Sequence, residues 1–504
     1  MTSYGLQATE CYPEWSGEAH DFDKPSNTDF ISYPAWSSAA NNPARCLARH
    51  RGETVSWAAE EMATVDLGDQ RLNRRAASLL ESMATKPDSS IPAQTEGLAE
   101  MTAAYRFFSN ERIDEHKLLE PHRVKTVERM QNERVVLCVE DTTQIDYTGH
   151  PGTSGLGTLY KDFCRGLFLH PMLAVTPAGV CLGVLDAKFY ARPEDRPAMS
   201  AGAKAKRKIE EKESYRWLDG YLAMNALAQT SAAQLIYVAD RESDIEDVLA
   251  AAQGQRGHIL LRARHDRLLE DGERMWETVR NSPIVGIQEF EMAARPGHSA
   301  RTVHQTLRSM TIELPETRKR AHAITINVVI AHEENPPQGE ESVSWTLLTT
   351  LPTKTIAEIK RVIDYYRTRW VIEVYFKVLK TGCAIEKLQL ETAERLKVAI
   401  TLYMIVAYRV LFMVNAGRES PNIPCDSIFE DEEWKTIYMA SKKKRPPQEV
   451  PRLIDIVVMV AKFGGFKGRK CDGFPGAKAV WSGLSIIRGY LIVNEHMKTM
   501  NNVT

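Results

Sequence analysis

Three carboxylates stand where their neighbours could put them to chemical use. Asp141 directly follows the apolar run Val135-Val136-Leu137-Cys138-Val139, in Glu140-Asp141-Thr142-Thr143, and Asp240 directly follows residues 235–238, in Val238-Ala239-Asp240-Arg241-Glu242. Short apolar runs of this kind predict buried strands. Side chains at the carboxyl ends of central strands in α/β sheets project into the crevice where ligands bind, and an aspartate there offers hard oxygen ligands to Mg2+ or Mn2+. Aspartate after a strand also serves simply to turn the chain, and singly neither residue decides between the two. Glu373 brings more context. With Tyr366 as zero and about 100° per residue, Arg369 falls near 300°, Glu373 near 340° and Lys380 near 320°, a stripe roughly 60° wide with Lys377 close by. Val371, Val374, Val378 and Leu379 take the opposite side, suited to packing on a sheet. A glutamate among cations on one face can bind metal through its carboxylate and phosphates through Arg and Lys. A solvated face carrying ion pairs such as Arg369 with Glu373 has the same pattern.

The elements needed to position these groups can be read on either side. Residues 1–54 are rich in Ser, Asn, Pro and acidic side chains without periodicity, and are expected to form a flexible extension. Residues 55–130 predict a helical unit. A helix over 69–83 carries Leu72, Ala76, Leu79, Leu80 and Met83 on one stripe, a second follows Thr95, and a third covers 116–130. Arg71, Arg74 and Arg75 on the first helix could meet phosphates, or form a solvated basic face. Residues 131–395 predict an α/β unit, with a hairpin over 167–175 and 180–185 and a strand at 259–261. Ser243 to Glu246 is a capping-box pattern that predicts a helix start. Residues 266–352 read as a β-rich insertion with strands at 324–331 and 345–349, and one long helix is expected over 357–380. Residues 396–504 are mainly helical with Gly and Pro breaks.

Bulk properties exclude little. A net charge of −2 over 504 residues does not point to nucleic acid, but binding depends on where charge sits. The eight cysteines are scattered with no C-x-x-C pair, so reduced thiols are expected rather than a zinc site. The most apolar stretch, 398–414, is short and interrupted by Arg409, which predicts a buried helix rather than a membrane span. No signal peptide is evident at the start, and a cytoplasmic, nucleoid-associated protein is expected.

Tyr366, Arg369, Glu373 and Lys380 reproduce the Y-x2-R-x3-E-x6-K signature, and the sequence resembles the bacterial DDE transposases of the insertion-sequence-four family. Glu140-Asp141-Thr142-Thr143 and Asp240-Arg241-Glu242-Ser243-Asp244 resemble that family's first two acidic motifs, in the same order. The similarity runs from about Ser56 to about Tyr403. It implies an RNase H-like α/β core with a β-rich insertion, flanked by an N-terminal helical DNA-binding domain and a C-terminal dimerisation region. It implies that Asp141, Asp240 and Glu373 are the catalytic, metal-binding triad for two Mg2+ ions, which Mn2+ could replace. Tyr366, Arg369 and Lys380 would contact phosphates near the cleaved end. Trp345 matches a family tryptophan that stacks on a flipped base, though it also suits the insertion's core. Trp370 resembles a second such aromatic, and Arg262 and Arg264 resemble basic residues near the family's active site. The implied activity is cut-and-paste transposition by a homodimer on DNA, with hairpin formation and joining of 3′-hydroxyl ends to target. A structure-specific RNase H-like nuclease would share the triad without requiring the signature spacing. A non-catalytic DNA-binding inhibitor would be expected to lose a carboxylate or the N-terminal unit, and neither is lost.

Overall fold

The apolar runs of the middle of the chain join one mixed sheet of eleven strands. In the computed structural model the described residues are 56–501, apart from 162, 194–199, 201, 203–206, 293–298, 317–321 and 470–471. The expected N-terminal extension therefore lies outside the described residues. Strand β1 (Val135–Glu140) is central. It pairs antiparallel with β4 (Arg165–Val175), which pairs antiparallel with β5 (Cys181–Tyr190). On its other side β1 runs parallel to β6 (Gln234–Ala239), and β6 parallel to β7 (His258–Arg262). Two antiparallel neighbours followed by two parallel ones, in the order β5-β4-β1-β6-β7, form an RNase H-like core. Two short strands, β2 (Thr143–Asp146) and β3 (Gly157–Thr158), also pair with β4.

The insertion does not stand apart as a separate sheet. Its strands β8 (Gly286–Met292), β9 (Arg301–Leu314), β10 (Ile324–His332) and β11 (Ser344–Thr349) continue the sheet beyond β7, with β11 pairing antiparallel to β7. Strand periodicity says which residues alternate, not which neighbour they pair with, so this continuity was not readable in sequence.

Helices α1 (Trp57–Glu61), α2 (Gln70–Thr85), α3 (Ile91–Gln94), α4 (Leu98–Phe108) and α5 (Glu115–Met130) form the N-terminal unit. Asp69 caps α2 by accepting from the Arg71 amide, while Ala76, Leu79, Leu80 and Met83 are buried on one stripe. Helix α6 (Tyr215–Thr230) covers one face of the sheet. Helix α7 (Glu246–Ala251) starts at Ile245, not at Ser243 as the capping pattern predicts. Ser243 instead belongs to a 3-10 turn and donates its hydroxyl back to the Asp240 carbonyl. Helix α8 (Met275–Arg280) lies in the insertion.

The expected single helix over 357–380 is two helices. Helix α9 (Ile356–Thr368), with a full capping box between Thr355 and Glu358, is followed by α10 (Val371–Lys377), and a π turn runs from Val378 to Gly382. Helix α11 (Ala393–Glu419) is long and apolar enough to cross a bilayer, contrary to the shorter stretch expected, but 89% of its most apolar window is buried. It serves as the core helix on which α13 (Leu453–Phe463) and α14 (Ala477–Asn501) pack, and α12 (Asp431–Lys442) packs on those two. The five described cysteines are free, and four of them are buried.

Candidate active site

Strand alternation and register bring the two aspartates together. Leu137 and Val139 of β1, Ile236 and Val238 of β6 and Leu260 of β7 all belong to the same core, on the face that also receives α9 and α10. Val136, Cys138, Leu235, Tyr237 and Ala239 face the other core, under α6. Val139 pairs with Val238, so the same register two residues on sets Asp141 beside Asp240. Ala239 pairs with Leu261, so Arg262 stands next in that row. Adjacent strands lie about 4.8 Å apart. The two carboxylates and a guanidinium thus line up on neighbouring strand ends, on the face toward the Glu373 helix.

The local backbone at Glu373 is tighter than an α-helix. The amides of Arg369, Trp370, Ile372 and Glu373 all bond three residues back, at 3.0–3.2 Å, a 3-10 pattern in which positions i and i+3 eclipse. Tyr366 and Arg369 therefore stack along one line at the joint. Arg369 Nη1 bonds Asp141 Oδ2 and lies 3.4 Å from Glu373 Oε1, so one guanidinium spans a strand carboxylate and the helix carboxylate. Asp141 Oδ1 accepts from the Thr142 amide at 2.7 Å, and Asp240 Oδ1 accepts from the Glu242 amide at 2.9 Å. Burial, then the charges of Asp240 and Glu373, hold the Asp141 carboxyl well above the usual carboxylate range, against the pull of Arg369. Burial works against the charge on Arg369, but Asp141, Tyr366 and Glu373 keep it above its ordinary range. Burial raises the Tyr366 phenol, with Asp240 and Asp141 adding to the shift. Burial lowers Arg262, helped by Arg241 and Arg369 and opposed by Tyr366.

Lys380 is not gathered into this cluster. It lies on the π turn and pairs with Glu386 Oε1 at 3.2 Å, an oxygen that also accepts from the Asp146 amide. The single polar stripe of the sequence reading assumed a constant 100° advance, which neither the 3-10 joint nor the π turn keeps. Trp345 is 1% exposed and stacks on Phe290 at 5.9 Å inside the core, so as placed it has no free face for a base. Trp370 is half-buried beside Arg369. Arg264 is exposed on the loop after β7, its amide bonded to Asp244. Arg71 is exposed and paired with Asp69, Arg74 is exposed and Arg75 half-buried.

Sequence reading missed the polar residues on the reverse face of the same strand ends: Glu140, His170, Arg216 and Glu242. One signal was available, because His170 interrupts the apolar run of β4, and a polar group buried in a strand requires a partner.

Among the described residues, no three acidic, His or Cys side chains are gathered closely enough to hold a metal as placed. The donor chemistry nevertheless fits a divalent ion. Hard carboxylate oxygens converge from two strands and a helix, and a side-chain cation sits between two of them.

Family models match along most of the chain. One described as "Transposase DNA-binding" matches residues 54–113, one described as "Transposase DDE domain" matches 218–409, and one described as "Transposase Tn5 dimerisation domain" matches 405–501. The DDE span holds Asp240 and Glu373 and begins after Asp141. A solved structure, the piggyBac transposase synaptic complex with hairpin DNA, is 9% identical and covers 75% of this chain and 76% of that chain, at a TM-score of 0.34. So slight a likeness carries no argument. This chain is a DDE transposase resembling the Tn5 transposase, in keeping with the insertion-sequence-four family, and is an enzyme that acts on DNA. DDE domains work with divalent metal ions.

Proposed function

We propose that this transposase cuts its element free by phosphodiester hydrolysis at Asp141, Asp240 and Glu373, passes through a hairpin, and joins the 3′-hydroxyl ends to target DNA. The observation carrying this reading is the register row that sets Asp141 beside Asp240, with Arg369 joining Asp141 to Glu373. The three carboxylates would hold a pair of Mg2+ ions, with Mn2+ able to substitute. Such ions supply activation of the attacking oxygen and stabilisation of the leaving one.

The remaining work falls to the chain's own side chains. Arg369 bridges Asp141 and Glu373 and offsets part of the repulsion between them. Freed from Asp141, its planar fork suits a phosphate. Tyr366 and Arg262, both buried at the row's end, offer a hydroxyl and a second guanidinium to the same phosphate. The half-buried Trp370 is the aromatic best placed to stack on a base unstacked during hairpin formation. Lys380 and Arg264 border the site and contact flanking phosphates. Residues 55–130, through Arg71, Arg74 and Arg75, bind the end sequence, and residues 396–504 join two copies. The protein works in the cytoplasm, at the nucleoid.

The test takes its substrate from the DNA that flanks the reading frame, where this reading expects short inverted repeats. Asp141→Ala, Asp240→Ala and Glu373→Ala should each abolish cleavage with Mg2+ or Mn2+, while gel-shift binding of the ends persists. A variant that cuts at the wild-type rate removes its residue from the triad.

A further inference from the structure

The strand ends that carry Asp141 and Asp240 have a second, buried polar arrangement on their opposite face. Glu140 precedes Asp141 and points the other way. It is fully buried under α6, where it accepts from the Tyr237 hydroxyl. Its Oε1 and Nε2 of the equally buried His170 lie 3.3 Å apart, and neither atom has a hydrogen-bond partner among the described residues. His170 Nδ1 lies 2.8 Å from the hydroxyl of Thr142, the residue after Asp141, and its ring stands edge-on to Trp217 at 4.5 Å. The Thr142 hydroxyl accepts from Arg216 Nε at 3.2 Å, and the same guanidinium bonds the Glu242 carboxylate. Glu242, in turn, donates its amide to Asp240.

The chain of contacts has a consistent direction. Arg216 is donor only, so the single Thr142 proton is free to go to His170 Nδ1. With the Thr142 proton on that side, a neutral imidazole carries its hydrogen on Nε2, the nitrogen 3.3 Å from Glu140 Oε1. The path runs Glu140–His170–Thr142–Arg216–Glu242. It starts at one neighbour of Asp141, passes through the other, and ends two residues past Asp240. Helix α6 even carries a glycine where a side chain would collide with this arrangement: a Cβ at Gly220 would lie 2.2 Å from Glu140 Oε2.

We infer that His170 and Thr142 are positioning residues, the centre of a buried frame that fixes Asp141 and Asp240 relative to each other and thereby sets the protein's affinity for divalent metal. The inference rests on the proposed role of the two aspartates. Ligands oriented by outer hydrogen bonds bind metal tightly because less ordering remains to be done on binding, and loss of such a partner typically weakens metal affinity about 10–100-fold.

The test is direct Mn2+ binding to the full-length protein, read by loss of the free-ion electron paramagnetic resonance signal. The Asp141→Asn, Asp240→Asn double variant serves as the blank. Thr142→Val keeps the shape and removes the hydroxyl, and should weaken Mn2+ binding about tenfold. Thr142→Ser keeps the hydroxyl and should stay within about twofold of wild type. His170→Ala should match Thr142→Val if it folds by circular dichroism; if it does not, the two Thr142 variants decide the matter. Wild-type affinity in Thr142→Val, or a loss in Thr142→Ser equal to that in Thr142→Val, overturns the frame. Wild-type protein that binds no better than the blank overturns the underlying assignment of the aspartates instead.

Discussion

Asp141 carries a conflict that the active site needs and the fold does not. Burial and two neighbouring carboxylates raise its pKa, and the Arg369 ion pair only partly offsets them. A carboxyl whose folded pKa lies above its unfolded value stabilises the fold when protonated. That contribution is lost as pH rises through the folded pKa. Asp141→Asn removes the charge while keeping the shape and the acceptor for the Thr142 amide. Without divalent metal, this variant should therefore melt above wild type, by about 1–3 °C at pH 8 and by less at pH 6. Added Mg2+ should raise the wild-type melting temperature at pH 8 and leave that of the variant nearly unchanged. Differential scanning fluorimetry at the two pH values measures both effects. A variant less stable than wild type at pH 8 without metal would mean that the Arg369 pair outweighs the repulsion.

At the scale of elements, what could be read from sequence depended on which physical signal each feature leaves. Strands β1 and β6 were legible because central strands buried on both faces read as unbroken apolar runs, and both aspartates follow theirs directly. Their side-by-side register was not legible, since it depends on pairing between segments about a hundred residues apart. The joint between α9 and α10 was missed for a different reason. Its residues keep right-handed helical dihedrals, and only the hydrogen bonds shift from four residues back to three, which apolar periodicity does not record. Nor does composition explain Gly220 inside α6. Helix propensity alone favours alanine there by about 1 kcal/mol, but the added methyl would press on the buried Glu140 carboxylate and overpack the interface, which costs about 1–3 kcal/mol and more where a polar group loses its partners. The clash should win, and Gly220→Ala should destabilise the protein by about 2 kcal/mol in urea denaturation. A stabilised variant would show that α6 moves away from the strand end at little energetic cost.

At the scale of the molecule, the last helix runs between the segment that follows the Glu373 helix and an exposed apolar face. Toward the interior, α14 packs Val480, Trp481 and Ile487, and the Trp481 indole lies against Gly382, the last residue of the π turn, where a Cβ would meet the ring at 3.1 Å. The segment carrying Lys380 is thus held by the C-terminal region. Toward solvent, the same helix exposes Ile486, Tyr490, Val493, Met497 and Met500, each 47–71% exposed. Their spacing alternates four and three residues, the repeat that places side chains along one coiled-coil edge. A row of large apolar groups left in water calls for a partner, and the dimerisation family match over 405–501 makes a second copy of this chain the fitting one. Burying a side chain of this size contributes about 1.5–3 kcal/mol. Replacing Ile486 and Val493 together with Asp should thus cost the dimer at least about 3 kcal/mol, a hundredfold or more in dissociation constant. The double variant should run as a monomer with DNA ends present in size-exclusion chromatography with light scattering. It should still shift a single end in a gel, because α14 meets α2 around Glu81 to Thr85 while Arg71, Arg74 and Arg75 lie at the other end of α2, and it should fail to pair two ends. Two-end complexes formed at the wild-type level would rule this helix face out as the dimer contact.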